Sequence, residues 1–174
     1  MTVRPSEPEM PTNAANIRRA GPGDAEMVQR ISADAYIPAY VAVLGTIPKP
    51  ATEDYAPRIE RGQVWILEIE GEPTGIAVLE EDTDHLLVYS IAVRPEAQRK
   101  GHGRVLLDFA DKRAVELGLH EVRLYTNEQM ERNLRLYRQH GFFQMGKRPH
   151  PSRPGQMLVD MVKKLPWPDS ARGS

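Results

Sequence analysis

A mixed α/β domain, with one sheet carrying helices on both of its faces, is the fold class this sequence predicts. Three observations lead there. The spacing of apolar residues switches repeatedly between a period of two and one near 3.6. Leu86–Val93 is apolar almost throughout, as a strand covered on both faces tends to be. Glycines close the helical stretches at Gly62, Gly118 and Gly141. In chain order the elements read βααβββαβαββ.

The first strand is Asn16–Ala20, closed by Gly21-Pro22-Gly23. Asp24 offers an N-cap to a helix carrying Met27, Val28, Ile31 and Ala35. Pro38, Pro48 and Pro50 then predict loop over 37–51, and a short helix follows over 52–61. Val64–Ile69 and Thr74–Leu79 form a hairpin around Gly71-Glu72-Pro73. After an acidic turn, Glu80–Asp84, comes the central strand Leu86–Val93. His102–Leu117 is the longest helix, with Leu106, Phe109, Ala110, Ala114 and Leu117 on one stripe. Glu121–Thr126 is a strand, Met130–His140 a helix, and Phe142–Gly146 and Met157–Val162 are the last two strands.

At 174 residues with 23 Lys+Arg against 24 Asp+Glu, the chain has the size of one domain and a formal net charge of −1. Its 40% hydrophobic and 27% charged residues suit a soluble globular protein. Near-neutrality gives no whole-molecule field for nucleic acid or an anionic membrane, so neither is expected as a partner. The absence of cysteine excludes disulfides, thiolate metal sites and a cysteine nucleophile. The five histidines show no ligand-like pairing, and no metal is expected. Residues 1–14 and 166–174 read as tails around a single domain over 15–165, with Trp167 able to pin the second tail. No segment resembles a signal peptide or approaches the ~20 apolar residues of a membrane span, so a cytoplasmic protein is expected.

The most informative segment is Val93–Arg104. A central strand ends, a short loop follows, and a long helix opens at glycines. The first turn of a helix leaves N–H groups without intrahelical partners, and with the aligned peptide dipoles they form an anion site. A Cβ at Gly101 or Gly103 could block close approach of a phosphate. Arg94, Arg99, Lys100 and Arg104 against Glu96 give the loop a net charge of +3 in an otherwise neutral chain. A pyrophosphate is the simplest ligand, although a plain basic loop eased by glycines remains open. A P-loop is absent, and Leu106 stands where a dinucleotide fingerprint needs its third glycine.

Gln98-x-x-Gly101-x-Gly103, following Ser90–Pro95, resembles the acetyl-CoA loop of the GNAT superfamily of N-acetyltransferases. A second segment, Tyr125–Phe142, is similar to the family's strand ending in Thr-Asn and helix carrying Asn, then Leu-Tyr, then Gly-Phe. The resemblance runs from Ile17 to Val162. It implies a central mixed, mostly antiparallel sheet of about seven strands with helices on both faces. It also implies acetyl transfer from acetyl-CoA to a primary amine by direct attack. The pantetheine arm would bond to the backbone of Ile91, Ala92 and Val93. The pyrophosphate would sit on the N–H groups of Gln98, Arg99, Lys100, Gly101, His102, Gly103 and Arg104.

Tyr137 aligns with the family's proton donor to sulfur, with Asn133 one helical turn before it. Asn127 and Asn133 could contact the coenzyme or serve as turn residues. Family members often carry a glutamate on the central strand as base. Here His85, Leu87 and Tyr89 share that face, so His85 and Tyr89 are the candidates, with water or a glutamate from another element also open. Seven acidic residues and no cation lie between Glu68 and Asp84, which reads either as a soluble hairpin turn or as the approach of a cationic amine, with Tyr36, Tyr40 and the 148–155 loop as walls. The strand Met157–Val162 could serve as a dimer edge. A non-catalytic acyl-CoA-binding module with the same fold is the alternative.

Overall fold

The computed structural model describes residues 14–166; the predicted Trp167 pin lies outside them. Chain order is β1 (Ala15–Arg19), α1 (Ala25–Leu44), α2 (Ala56–Glu60), β2 (Val64–Ile69), β3 (Glu72–Glu81), β4 (Leu86–Val93), α3 (His102–Glu116), β5 (Glu121–Asn127), α4 (Glu131–Gln139), β6 (Phe143–Pro149) and β7 (Met157–Lys164). The strands make one seven-stranded sheet, β1-β2-β3-β4-β5-β7-β6. Every neighbouring pair is antiparallel except β4 and β5. The predicted order and class are therefore those observed.

Two apolar layers hold the sheet. On one face Leu106, Leu107, Ala110 and Ala114 of α3 pack against Leu67, Ala77, Leu86, Val122 and Met161. Fully burying a Leu or Met side chain contributes about 1.5–3 kcal/mol, so this layer spans and stabilises both halves of the sheet. On the other face Val28 and Ile31 of α1, with Tyr55 and Ile59, cover Val64, Ile66, Ile76 and Val78. Gly75 sets the closeness of α3: an added Cβ would lie 2.9 Å from the Ala92 carbonyl and 3.2 Å from Leu106.

Four local expectations are corrected. Helix α1 continues through Pro38 to Leu44 and ends at Gly45 (φ 66°), whose N–H bonds the Val41 carbonyl. Proline removes one hydrogen bond there, but Asp34 and Pro38 are both exposed, so water can take the orphaned carbonyl, and the rest of the helix is held by packing. Asp24 does not cap α1. Its carboxylate accepts from the Gly21 N–H (2.8 Å) and from Arg18 Nη1 (2.8 Å) and Nη2 (3.1 Å), closing a short 3-10 turn ahead of the helix.

The first hairpin turns at Glu70 and Gly71, both at positive φ, which leaves Glu72 and Pro73 inside β3. That pair of left-handed residues matches the twist of two antiparallel strands. Finally, β7 is flanked by β5 and β6 and is no edge. Its Leu158, Val159, Met161 and Val162 are buried, whereas β6 exposes Phe143 and Met145, so burial on both faces places β7 inside.

Candidate active site

Two irregularities of β4 make the site. Parallel pairing with β5 covers only Leu86 with Val122 and Leu87 with Arg123, after which the strands part. On the other side, β3 stays paired, but Val78 faces Ser90 while Leu79 faces Val88, so Tyr89 is the extra residue of a β-bulge. The bulge inverts which residues face which layer. Tyr89 and then Ala92 join the α1 side, while Ile91 and Val93 pack toward α3. The period of two read from sequence holds up to Tyr89 and is reversed beyond it.

The backbone of the parted edge follows. The Arg94 N–H donates to the Thr74 carbonyl at 2.9 Å, so Arg94 and Ala92 address β3. Ile91 and Val93, alternating with them, turn their peptide groups to the side that β5 has left. The Tyr36 hydroxyl donates to the Ile91 carbonyl at 3.1 Å, and Gln98 Nε2 donates to the Val93 carbonyl at 3.0 Å. Their N–H groups face the gap.

That edge leads directly to the start of α3. Arg99 and Gly101 both have positive φ (64° and 84°), curling the loop around the helix end. The first bond of the helix runs from the Val105 N–H to the Gly101 carbonyl at 3.2 Å. The N–H groups of His102, Gly103 and Arg104 therefore stand outside the helical ladder, as an anion cradle requires. Arg99, Lys100 and Arg104 are exposed around it.

Gap and helix end open into one cleft of about 1180 Å³, large enough for a coenzyme-sized ligand and a second substrate. Ile91, Ala92, Val93, Gln98, Arg99, Gly101, His102, Gly103, Arg104, Asn133, Tyr137 and Tyr89 all line it. Tyr36 and Tyr40 of α1 form the facing wall. Burial pushes the Tyr137 phenol well above its ordinary value, with Tyr40 adding to the shift. Burial likewise lifts Tyr36 and Tyr40.

Three predicted residues stand apart. Lys100 is exposed and does not line the cleft. Asn127 spends its amide internally, with Oδ1 accepting from the Gln129 N–H at 3.0 Å and Nδ2 donating to Gln156 at 2.9 Å. His85 lies outside the cleft, its Nδ1 2.6 Å from Asp84 Oδ1, in a smaller hollow beyond Tyr125. Part of the acidic stretch is taken up by ion pairs: Glu68 with Arg18, Glu80 with Arg58, and Asp84 with Arg123 and His85.

Sequence reasoning missed Thr126 and Glu53. Thr126 lines the cleft with a buried Oγ1 that has no hydrogen-bond partner. Glu53 holds the Tyr89 hydroxyl at 2.8 Å. Thr126 sits in the Thr-Asn end of β5, which marked the strand but not the threonine's place in the cleft. Glu53 carries no local signal because its surroundings come from elements distant in sequence.

Residues 30–142 match the Acetyltransferase (GNAT) family, and the chain belongs to it. No curated protein matches in sequence. Among solved structures it is similar to the PaiA N-acetyltransferase of Thermoplasma acidophilum in complex with coenzyme A (TM-score 0.72, 20% identity, 87% of this chain and 99% of that one). It is also similar to the ribosomal-protein-S18-alanine N-acetyltransferase of Escherichia coli (0.71, 20%, 88% and 96%). A third is a GNAT family acetyltransferase of Elizabethkingia anophelis with acetyl-CoA bound (0.65, 18%, 88% and 100%). At these identities the likeness is one of fold.

Proposed function

We propose that this chain transfers an acetyl group from acetyl-CoA to a primary amine, by direct attack with both substrates bound. The observation that carries the reading is the continuity of the parted β4 edge with the bare first turn of α3 inside one cleft that also holds Tyr137. The donor fits these residues. Ile91 and Val93 present backbone N–H groups to an extended amide chain, and residues 99–104 present N–H groups and positive charge to a diphosphate, the Gln98 N–H being bonded to the Pro95 carbonyl at 3.3 Å. When bound, the thioester supplies the acetyl group and the sulfur leaving group.

The chain contributes placement and dipoles that need no reorganisation during the reaction. A β4 backbone N–H stabilises the negative charge developing on the acetyl oxygen. Burial disfavours the phenolate, so Tyr137 stands in the cleft as a neutral phenol. The same burial makes it a weaker acid, and its place on the cleft wall is what suits it to donate to the departing sulfur. Asn133, one helical turn earlier and on the same wall, is placed to hold the coenzyme.

Thiol release from acetyl-CoA, measured across a panel of amines, tests the proposal. Release with at least one amine is expected. Thermal protection by acetyl-CoA without release would mark a non-catalytic binding module, and absence of protection would remove the coenzyme reading itself.

A further inference from the structure

A carboxylate behind the cleft wall reaches the cleft through one side chain of the central strand. Tyr89, thrown out by the β4 bulge, lines the cleft and donates its hydroxyl to Glu53 Oε2 at 2.8 Å. Glu53 comes from the segment between α1 and α2. Its other oxygen, Oε1, accepts from Arg58 Nε at 2.8 Å. The Arg58 guanidinium lies 3.8 Å over the Tyr89 ring and also donates to Glu80 and Gln63. Glu53, Arg58 and Tyr89 thus fix one another: the arginine orients the carboxylate and clamps the ring whose hydroxyl that carboxylate receives.

The charge balance of the cluster matters. Two carboxylates, Glu53 and Glu80, share one guanidinium whose side chain is only 9% exposed. The group carries one negative charge more than it can neutralise internally, so the carboxylate oxygen on the Tyr89 hydroxyl faces a cluster of net charge −1.

We propose that Glu53, acting through Tyr89, receives the proton released by the attacking amine; this rests on the amine-acetylation reading above. As the amine nitrogen bonds to the acetyl carbon and the carbon–sulfur bond breaks, one N–H proton passes to Tyr89 Oη. The phenol's own proton passes to Glu53 Oε2 in the same step. Tyr89 ends neutral, Glu53 ends as a carboxylic acid, and the sulfur leaves with the bonding pair and takes a proton from Tyr137. Solvent then restores Glu53 and Tyr137. No tyrosinate forms at Tyr89, whose ring is packed against the Arg58 guanidinium, whereas Tyr137 is left as the phenolate until solvent reprotonates it. Tyr89 touches the amine and is catalytic; Glu53 is a positioning residue.

Steady-state kinetics on the full chain, with an amine that the wild type acetylates, tests this. Glu53→Gln keeps the size and one hydrogen-bond acceptor but removes the basicity. It is expected to lower kcat by roughly 10²-fold, the usual scale of a lost acid–base group, while the KM for acetyl-CoA and thermal protection by acetyl-CoA stay at wild-type values. Tyr89→Phe falls by a similar factor, and the double variant by little more than either single, as two members of one relay require. Glu53→Asp recovers part of the rate.

Glu80→Gln separates proton transfer from mere loss of an ion pair to Arg58, and costs under about threefold. If Glu53→Gln keeps kcat within about twofold, or Glu80→Gln costs as much as Glu53→Gln, the relay is wrong. Should Glu53→Gln not fold, Tyr89→Phe with unchanged kcat overturns it equally. A wild type that releases no thiol with any amine overturns the proposed function along with the relay, whereas wild-type turnover with an unaffected Glu53→Gln overturns the relay alone.

Discussion

The Tyr36 hydroxyl lies 2.7 Å from Ser90 Oγ and donates to the Ile91 carbonyl at 3.1 Å, which pins the middle of α1 to the parted edge of β4. Tyr36→Phe leaves both β4 partners short of a hydrogen bond. The expected cost is about 1–2 kcal/mol of folding stability, together with weaker acetyl-CoA binding, read by denaturant titration and calorimetry.

The two glycines of the phosphate loop are expected to respond differently. A Cβ at Gly103 would meet only Leu136, at 3.7 Å, and Gly103 lies in the first turn of α3. Gly103→Ala should leave the fold as stable or stabilise it by up to about 1 kcal/mol, yet weaken acetyl-CoA binding by crowding the cradle. Gly101 sits at φ 84°, so Gly101→Ala should destabilise the free protein by about 1–2 kcal/mol. Thermal melts with and without ligand separate the two effects.

Removal of the Tyr137 hydroxyl tests its role as donor. Tyr137→Phe is expected to lower kcat by at least about tenfold, with the KM for acetyl-CoA nearly unchanged. Because the buried phenol holds its proton above its ordinary value, its ionisation should impose no fall in wild-type kcat up to about pH 10.

Alkaline stability should also report on the buried phenols. Burial raises Tyr36, Tyr89 and Tyr137, and pushes Tyr55 up to about 12. The folded chain therefore keeps protons that an unfolded chain releases near pH 10. Stability from these groups is whole below that pH and is lost as pH rises beyond it. Melting temperature followed upward from pH 8 should begin to drop near pH 10.

Asp24 behaves in the opposite sense. Its hydrogen bonds from Arg18 hold the carboxyl below the usual carboxylate range, although burial opposes them, and the Gly21 N–H assists. The stabilisation is present above an unfolded pKa of about 3.9 and disappears as pH falls through the lower folded value. Asp24→Asn should cost about 1–3 kcal/mol at neutral pH and flatten the acid limb of the melting curve.

The basic loop opening α3, proposed to hold the diphosphate, was legible as a shape in the sequence because its determinants are contiguous: a strand end, a basic turn and glycines opening a helix. The central strand and the α3 stripe were legible for the same reason. Pro38 misled because its cost is local, whereas the contacts that keep α1 helical around it, Tyr36 on Ser90 above all, reach 54 residues away. The order of β6 and β7 and the bulge at Tyr89 depend on pairing that no single segment encodes. Glu53 was hidden for a further reason: a glutamate in a proline-flanked connection looks like an ordinary solvated charge until Arg58 and Tyr89 are brought onto it.

The two-rung contact between β4 and β5 has a bearing on the protein's life between turnovers. With so short a seam, the two ribbons of the sheet share few backbone bonds and lean on the apolar layer beneath them, and a bound pantetheine would act as a surrogate strand stitching the open margin. Occupancy then adds to cohesion in proportion to the logarithm of donor concentration. The donor-bound chain would then be the tighter form, and the free chain the one more readily cut by a protease.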